Sequence, residues 1–468
     1  TMKTSVDNIY ALGDIVKDSP SIASVKQDVA DTDFLPNQGN YPLGITPGIL
    51  KKLPVDQTYI GLDIDYGRIT ATVIEEKNGK KTLLAQNSVS SQKQSFDPVK
   101  NPNEFLNACE ELIDLCVDTL LDYGTVYQSA SKNVKNKAPV VMTVNHDQIM
   151  LLLVKVPKEN LKEKKQIIEW TINKNVGFPI EDCIIDPIKG GGNNFLVGLG
   201  EEETLNNISN SLDNNDWSIR KLFPINQVIF NAFIWNYPEN RKKNSLIIHI
   251  GEKSGSILGS EKGELKIIRP LYIGFGSLKD ALRDSGFSDE KLENTIAFQV
   301  PASFLKVFGH TITNGDYDNT LRAVFESWRQ EIERTINGMR KEFKIAEGTD
   351  ILLSGSAGEI QYLDKFIGGI TGLNTQLLNP IRNLYIPPEF DLELLEYHPS
   401  ILTASIGSAL NLQKSVSVLP KKLKQEETLR WINRAGLVLS GFAIIIFSVI
   451  SIFTKININE LQTEISPL

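Results

Sequence analysis

The chain has 468 residues, of which 41% are hydrophobic and 23% charged, and its net charge is -8. That supplies cores for two or three globular domains and excludes a disordered or fibrous chain. The acidic balance gives no attraction to nucleic acid, and three cysteines (Cys109, Cys116, Cys183) without C-x-x-C or zinc spacing exclude a disulfide scaffold.

Residues 1–58 are rich in Asp, Ser, Asn, Pro and Gly and show no sustained period, so a mostly disordered arm is expected there, with "DTDFLP" as a candidate docking motif against a plain linker. Then "YIGLDIDYGRITATVIEEKNGKKTLLA" reads as strand, Gly turn, strand, Asn-Gly turn, strand. A helix is predicted over about 103–121, with Phe105, Ala108, Leu112, Leu115 and Leu120 on its buried side and Gly124 at its end. "PVVMTVN" and "IMLLLVKVP" read as strands, and "KENLKEKKQIIEWTINKNVGFP" as an amphipathic helix with Leu161, Ile168, Ile172 and Val176 inward. "GGGNNFLVGLG" opens a strand, "ETLNNISNSLDNND" a helix, "WSIRKLF" a strand, and about 226–235 a further helix.

The pattern then restarts. "SLIIHIGEKSGSILGSEKGELKIIRP" is again strand, Gly turn, strand, tight turn, strand, and Lys262-Gly263 stands where Asn78-Gly79 stood. This is a repeat of supersecondary structure without repeated residues, and it predicts two similar α/β lobes around a cleft. A long helix over about 318–346 follows, with Leu321, Val324, Phe325, Trp328, Ile332, Ile336, Met339 and Phe343 at helical spacing. "DILLSGSAGEI" reads as a buried strand, a Gly turn and a helix start, and "SILTASIGSALNL" as a close-packing helix.

Near the end, "AGLVLSGFAIIIFSVISIFT" (435–454) carries no charge over twenty residues. At 1.5 Å per residue it is roughly 30 Å long, the thickness of a bilayer core. Lys414, Lys421, Lys422, Lys424, Arg430 and Arg434 precede it and only Lys455 follows, so the positive-inside rule places the large N-terminal part in the cytoplasm and the tail outside. Trp431 fits an interfacial anchor.

Two lobes, each with a Gly turn in its first hairpin, and a late strand-"SGSAG"-helix resemble the actin-like ATPase superfamily, a duplicated RNase H-like α/β fold. The chain is more similar still to the PilM-type proteins of type IV pilus assembly, whose relatives are FtsA and the L-component of type II secretion. The stretches that carry the likeness are "VGFPIEDCIIDP", "IIRPLYIGFG", "WRQEIERTINGMRKEF" and "ILLSGSAGEIQYLDKFIGGITGLNTQLLNP". They span about 59–412. The resemblance implies lobe I over 59–244 with an FtsA/PilM-type extra subdomain at about 149–189, and lobe II over 245–412. "VSVLPKKLKQEETLRWINRAGLVLSG" resembles the start of the partner PilN. It implies a natural fusion: a motif and basic segment over 413–434, the membrane helix over 435–454 and a periplasmic stub over 455–468. On that resemblance Val416, Val418, Leu419 and Pro420 would dock in cis; the plain reading is a linker turn.

The resemblance also marks a candidate vestigial ATP site at Asp63, Gly67, Arg68, Gly251, Gly355 and Gly358. Phosphate loops need small residues, so that backbone N–H groups reach the oxygens, and carboxylates to place Mg²⁺. Asp65, Tyr66 and Thr70 stand where the family has Gly, Ser and Lys, and a second turn carboxylate repels a triphosphate. Arg68 can pair with phosphate in partial compensation. His249 and Gly255 replace the second loop's Asp and Thr, and Ser356 replaces a glycine of the third turn. The alternative reading of the glycines is that they serve positive φ alone. Catalysis is therefore not expected, while binding of ATP with Mg²⁺ stays open. Glu333 and Lys341 could hold adenosine, or simply line a solvated helix face. No G-x-S-x-G, Walker lysine loop, sugar-kinase Asp or metal cluster is recognised.

The expectation is a non-catalytic, single-pass inner-membrane scaffold of a type IV pilus or type II secretion platform. It would link an assembly ATPase and other cytosolic components to periplasmic partners, with homo-oligomerisation open. The alternative is an active membrane-attached, FtsA-like ATPase.

Overall fold

The computed structural model describes residues 57–455 apart from 91–95, 97–99, 123–127, 136–138, 146, 158–159, 161–162, 178, 214–218, 289–297, 311–316, 346–347, 391–398, 413–414, 421, 425–446 and 453. Residues 1–56 of the expected arm lie outside the described residues, as do Gly124, Leu161, Lys414, Lys421, Arg430, Trp431, Arg434 and most of the apolar stretch; Gln57 and Thr58 already belong to the first strand.

The first hairpins form as the alternation predicts. β1 (Gln57–Asp65), β2 (Arg68–Lys77) and β3 (Lys80–Ser90) make an antiparallel meander. Asn78 and Gly79 turn it with φ of 52° and 79°, and Lys262 and Gly263 turn the second meander with 51° and 79°. Both turns need positive φ twice, which gives a twist matching the strands. α1 (Pro102–Asp122) covers this sheet through Phe105, Ala108, Cys109, Leu112, Cys116 and Leu120. Leu115, expected inward, is 40% exposed, because the buried stripe runs through the two cysteines instead. All three cysteines are free, and burial pushes the Cys116 thiol up to about 11.

After α2 (Gln128–Lys135), β4 (Val140–Val144) pairs parallel with β1. β5 (Ile149–Lys155), α3 (Lys164–Asn175), β6 (Cys183–Lys189) and β7 (Asn194–Glu201) then build a separate three-stranded sheet of order β5-β7-β6. Ile168 and Ile172 of α3 pack on it. The subdomain thus reaches Glu201, beyond the expected boundary near 189. Its central strand β7 carries the apolar Phe195, Val197 and Leu199 that both neighbours need. α4 (Glu202–Asp213), β8 (Ile219–Pro224) and α5 (Ile225–Asn236) return to the first lobe, whose sheet order is β3-β2-β1-β4-β8.

The second lobe repeats that order. β9 (Asn244–Ile250), β10 (Gly255–Glu261), β11 (Glu264–Leu271), β13 (Asp350–Gly355) and β15 (Thr375–Leu377) form the sheet β11-β10-β9-β13-β15, again two antiparallel then two parallel pairings. α6 (Gly276–Asp284), α7 (Ala302–Val307), α8 (Asp318–Met339) and α9 (Leu363–Thr371) bury Phe275, Phe325, Trp328 and Phe366 against it. β12 (Phe298–Gln299) and β14 (Ile360–Gln361) make a short parallel pair. α8 ends at Met339, short of the expected 346, although Phe343 beyond it is still buried. The "SGSAG" turn runs into a single 3₁₀ turn (Ser356–Glu359), and α9 starts only at Leu363.

α10 (Thr403–Ala409) packs on β1, β2 and β4 of the first lobe and on α5, over residues too small to hold it away. A Cβ on Gly61 would lie 2.2 Å from the Ser405 carbonyl oxygen, and one on Gly407 2.0 Å from that of Val228.

Among the described residues no helix is long and apolar enough to cross a membrane. Of the apolar stretch, 447–452 is helical, with Phe447, Val449, Ile450 and Ile452 between 47% and 71% exposed.

Candidate functional site

The repeat dictates where the Gly turns meet. β1 and β9 are the central strands of their sheets, so their C-terminal ends face one another across the cleft. The turn after β1 carries Asp65, Tyr66, Gly67 and Arg68; the turn after β9 carries Gly251, Glu252 and Lys253. The turn after β13 carries Gly355, Gly358 and Glu359.

The first turn closes directly on the second. The Glu252 N–H donates to Asp65 Oδ2 at 2.8 Å, and Asn145 Nδ2 (3.2 Å) and the Tyr66 N–H (2.9 Å) donate to Asp65 Oδ1. Glycine at 251 is required by this contact, since a Cβ there would sit 2.9 Å from Asp65 Oδ2. Gly67 lies against the same loop: its Cβ would come 3.3 Å from the Glu252 carboxyl carbon. Arg68, 12% exposed at its side chain, is ion-paired to Glu359 of the third turn. Lys279 bonds Glu252 at 3.2 Å, and Lys253 pairs with Asp147 at 2.8 Å while lying over the Tyr66 ring. Gly355 takes φ 74°, and a Cβ there would meet the Ile250 carbonyl oxygen at 2.4 Å. Gly358 lies within the 3₁₀ turn directly before Glu359.

The electrostatics follow from four carboxylates sharing a confined space. Burial, and next the charge of Glu252, pushes Asp65 up to about 6 against the pull of its three donors. Asp63 is raised well above the usual carboxylate range by burial and then by Asp65, with Arg68 opposing. Its Oδ1 is buried and has no hydrogen-bond partner among the described residues. Burial also raises Glu359 despite Arg68. His249, hydrogen-bonded to Ser354 Oγ through Nδ1 at 3.0 Å, is lowered to about 4 by burial and stays neutral at physiological pH.

These residues do not fit ATP with Mg²⁺. The loop N–H that would face a phosphate is spent on Asp65, and Arg68 on Glu359. The neutral His249 offers no anionic Mg²⁺ partner. Among the described residues no group of three or more His, Cys, Asp or Glu is placed to hold a metal. Glu333 bonds Arg329 on its own helix, which ties it to the α8 surface. Sequence reasoning missed Glu252, Glu359, Asn145 and Lys279. The readable signal was a glutamate directly after Gly251 and another after Gly358, in turns where small residues were expected.

The tail motif takes a different place. Val416, Val418, Leu419 and Pro420 are all buried. β8 is an edge strand with open N–H and C=O groups. The Val418 N–H donates to the Leu222 carbonyl at 2.9 Å, and the Leu222 N–H to Ser417 Oγ at 3.2 Å. Asp186 Oδ2 receives the Ser417 N–H at 2.6 Å, and Lys424 stands 3.6 Å from Asp186 Oδ1. Val418, Leu419 and Leu423 enter the core beside Leu205, Ile208 and Leu222, while Val416 joins Leu151 and Ile229. Gly198 makes room, for a Cβ there would lie 3.1 Å from Val416. Ser417 and Asp186 were not anticipated, because an edge strand's partner is chosen in space and not along the chain.

No family model matches the chain, and no curated protein matches it. Among solved structures it is similar to a PilM-PilN type IV pilus biogenesis complex, with a TM-score of 0.59 at 18% identity over 76% of this chain and 98% of that one. More distant likenesses include MreB 5 of Spiroplasma citri bound to AMPPNP (TM-score 0.38, 12% identity, 76% of this chain and 96% of that). Another is the cytoplasmic domain of EpsL, an inner-membrane component of the type II secretion system of Vibrio cholerae (0.31, 10%, 50% and 78%). Those two are too distant to carry an argument. The first, together with the duplicated sheet order, gives the chain a mixed α/β, actin-like ATPase fold.

Proposed function

We propose that the chain is a non-catalytic assembly-platform scaffold at the bacterial inner membrane, in a type IV pilus or type II secretion machine. The likeness to a PilM-PilN complex supports the setting. The single observation that carries the non-catalytic part is the cleft: its loop N–H and its arginine are occupied by the chain's own Asp65 and Glu359. The seated segment 416–420 supports a tail that docks in cis as a PilN-like element. The uncharged stretch 435–454, after the basic segment 421–434, supports a single membrane span with a cytoplasmic N-terminal body and a periplasmic C-terminus. Exposed Phe447, Val449, Ile450 and Ile452 are of the kind that lipid would cover. The mechanism is then binding without turnover. The span fixes position, and the two lobes offer surfaces to an assembly ATPase, to platform proteins and to further copies of the chain.

The test titrates the full chain in detergent with ATP·Mg²⁺ and follows melting and phosphate release. No release is expected. Release that vanishes in Asp63→Ala would overturn the scaffold reading in favour of a membrane-attached, FtsA-like ATPase. Crosslinked pull-down from membranes identifies the partners and separates pilus from secretion. Resistance of the chain to carbonate extraction, lost on deleting 435–468, checks the span.

A further inference from the structure

Three donors converge on one carboxylate in the cleft. The Glu252 N–H reaches it from the second lobe, and Asn145 Nδ2 and the Tyr66 N–H from the first. Backbone and amide N–H groups gathered at a glycine turn make an anion-binding concavity. Gly251 keeps it open, and Arg68 and Lys279 border it, each held by a glutamate. Asp65 extends from the adjacent turn into that concavity. Its position also bridges the lobes, as do the Arg68–Glu359 and Lys253–Asp147 pairs.

We infer that Asp65 is a built-in anion: it fills a latent phosphoryl-binding position and fastens the two lobes together without a ligand. Deleting the carboxylate frees the Glu252 and Asn145 donors, leaves Arg68 and Lys279 beside them, each paired to a glutamate, and removes one of the four carboxylates that crowd the cleft. The ligand class is a di- or triphosphate, whose terminal oxygens match three donors on one small acceptor. This deepens the scaffold proposal and rests on it, since it explains why the native cleft would turn nothing over.

The experiment compares the full wild-type chain with Asp65→Ala, using inorganic pyrophosphate as the probe in calorimetry and thermal melting. Asp65→Ala should bind pyrophosphate at least about tenfold more tightly than wild type, because charge-assisted donors are regained and a like charge is lost. Equal binding by both proteins, or none by a folded Asp65→Ala, overturns the inference. Should Asp65→Ala not fold, amide exchange of wild type decides. The Glu252 N–H must be protected in the unliganded chain and unaffected by saturating pyrophosphate; a fast-exchanging Glu252, or a pyrophosphate-dependent change, overturns it. ATP hydrolysis by wild type would instead sink the scaffold reading, so the two failures are separable.

Discussion

Replacing Leu419 with aspartate should detach the tail while leaving the lobes folded. Leu419 is 1% exposed and sits with Val418 and Leu423 in the first lobe's core. Burying four side chains of the size of Val416, Val418, Leu419 and Leu423 gains about 1.5–3 kcal/mol each, as an upper estimate. Removing a buried leucine costs about 2–5 kcal/mol, a large share of what those contacts gain. A carboxylate in its place will not stay in an apolar site, so the segment leaves instead. Amide exchange read by mass spectrometry should show peptides over 415–424 and the β8 edge exchanging at least about thirtyfold faster, which corresponds to roughly 2 kcal/mol. Peptides of β9 and α8 should be unchanged. Ser417→Ala, which removes only the acceptor for the Leu222 N–H, should cost about 0.5–1.5 kcal/mol and give a graded effect. Native protection over 415–424 in Leu419→Asp would refute the reasoning, because the motif would then be held by something other than its apolar contacts.

Other outcomes follow from the cleft and from the packing of α10. Asp65 has a folded pKa of about 6 against an ordinary 3.8, so the folded state holds its proton more tightly and stability falls as pH rises from about 4 to 6. The fall due to this group is at most about 3 kcal/mol, less for the surface Asp65 keeps in solvent. Urea midpoints of Asp65→Asn across that range should show a correspondingly flatter fall, and an unchanged slope would contradict the assignment. Arg68→Ala should lose about 3–5 kcal/mol by stranding the buried Glu359, and adding Glu359→Gln should restore part of it; additive losses in the double variant would show that the two are not coupled. Gly61→Ala should lose about 1–3 kcal/mol or more in urea, because its Cβ would meet the Ser405 carbonyl at 2.2 Å; a neutral result would mean α10 can move away.

The sequence by itself determined the architecture. Period-two alternation, two tight turns needing positive φ and a repeat at Ser245 specify two α/β lobes. These signals are local, so strand and turn chemistry suffice to read them. It also marked the loop positions, Asp65, Tyr66, Thr70 and His249, at which the chain departs from the pattern of a phosphate-gripping cleft. Helix α8 ran shorter than its pattern, and Leu115 turned outward, because packing partners and not period alone decide where a stripe ends. Only the tertiary structure decided what the changed loop residues do. That Asp65 meets the Glu252 N–H, that Arg68 meets Glu359 and that Val418 pairs with Leu222 join residues far apart in the chain. No local pattern records those pairings, because they are set by how two sheets and one edge strand come together in space.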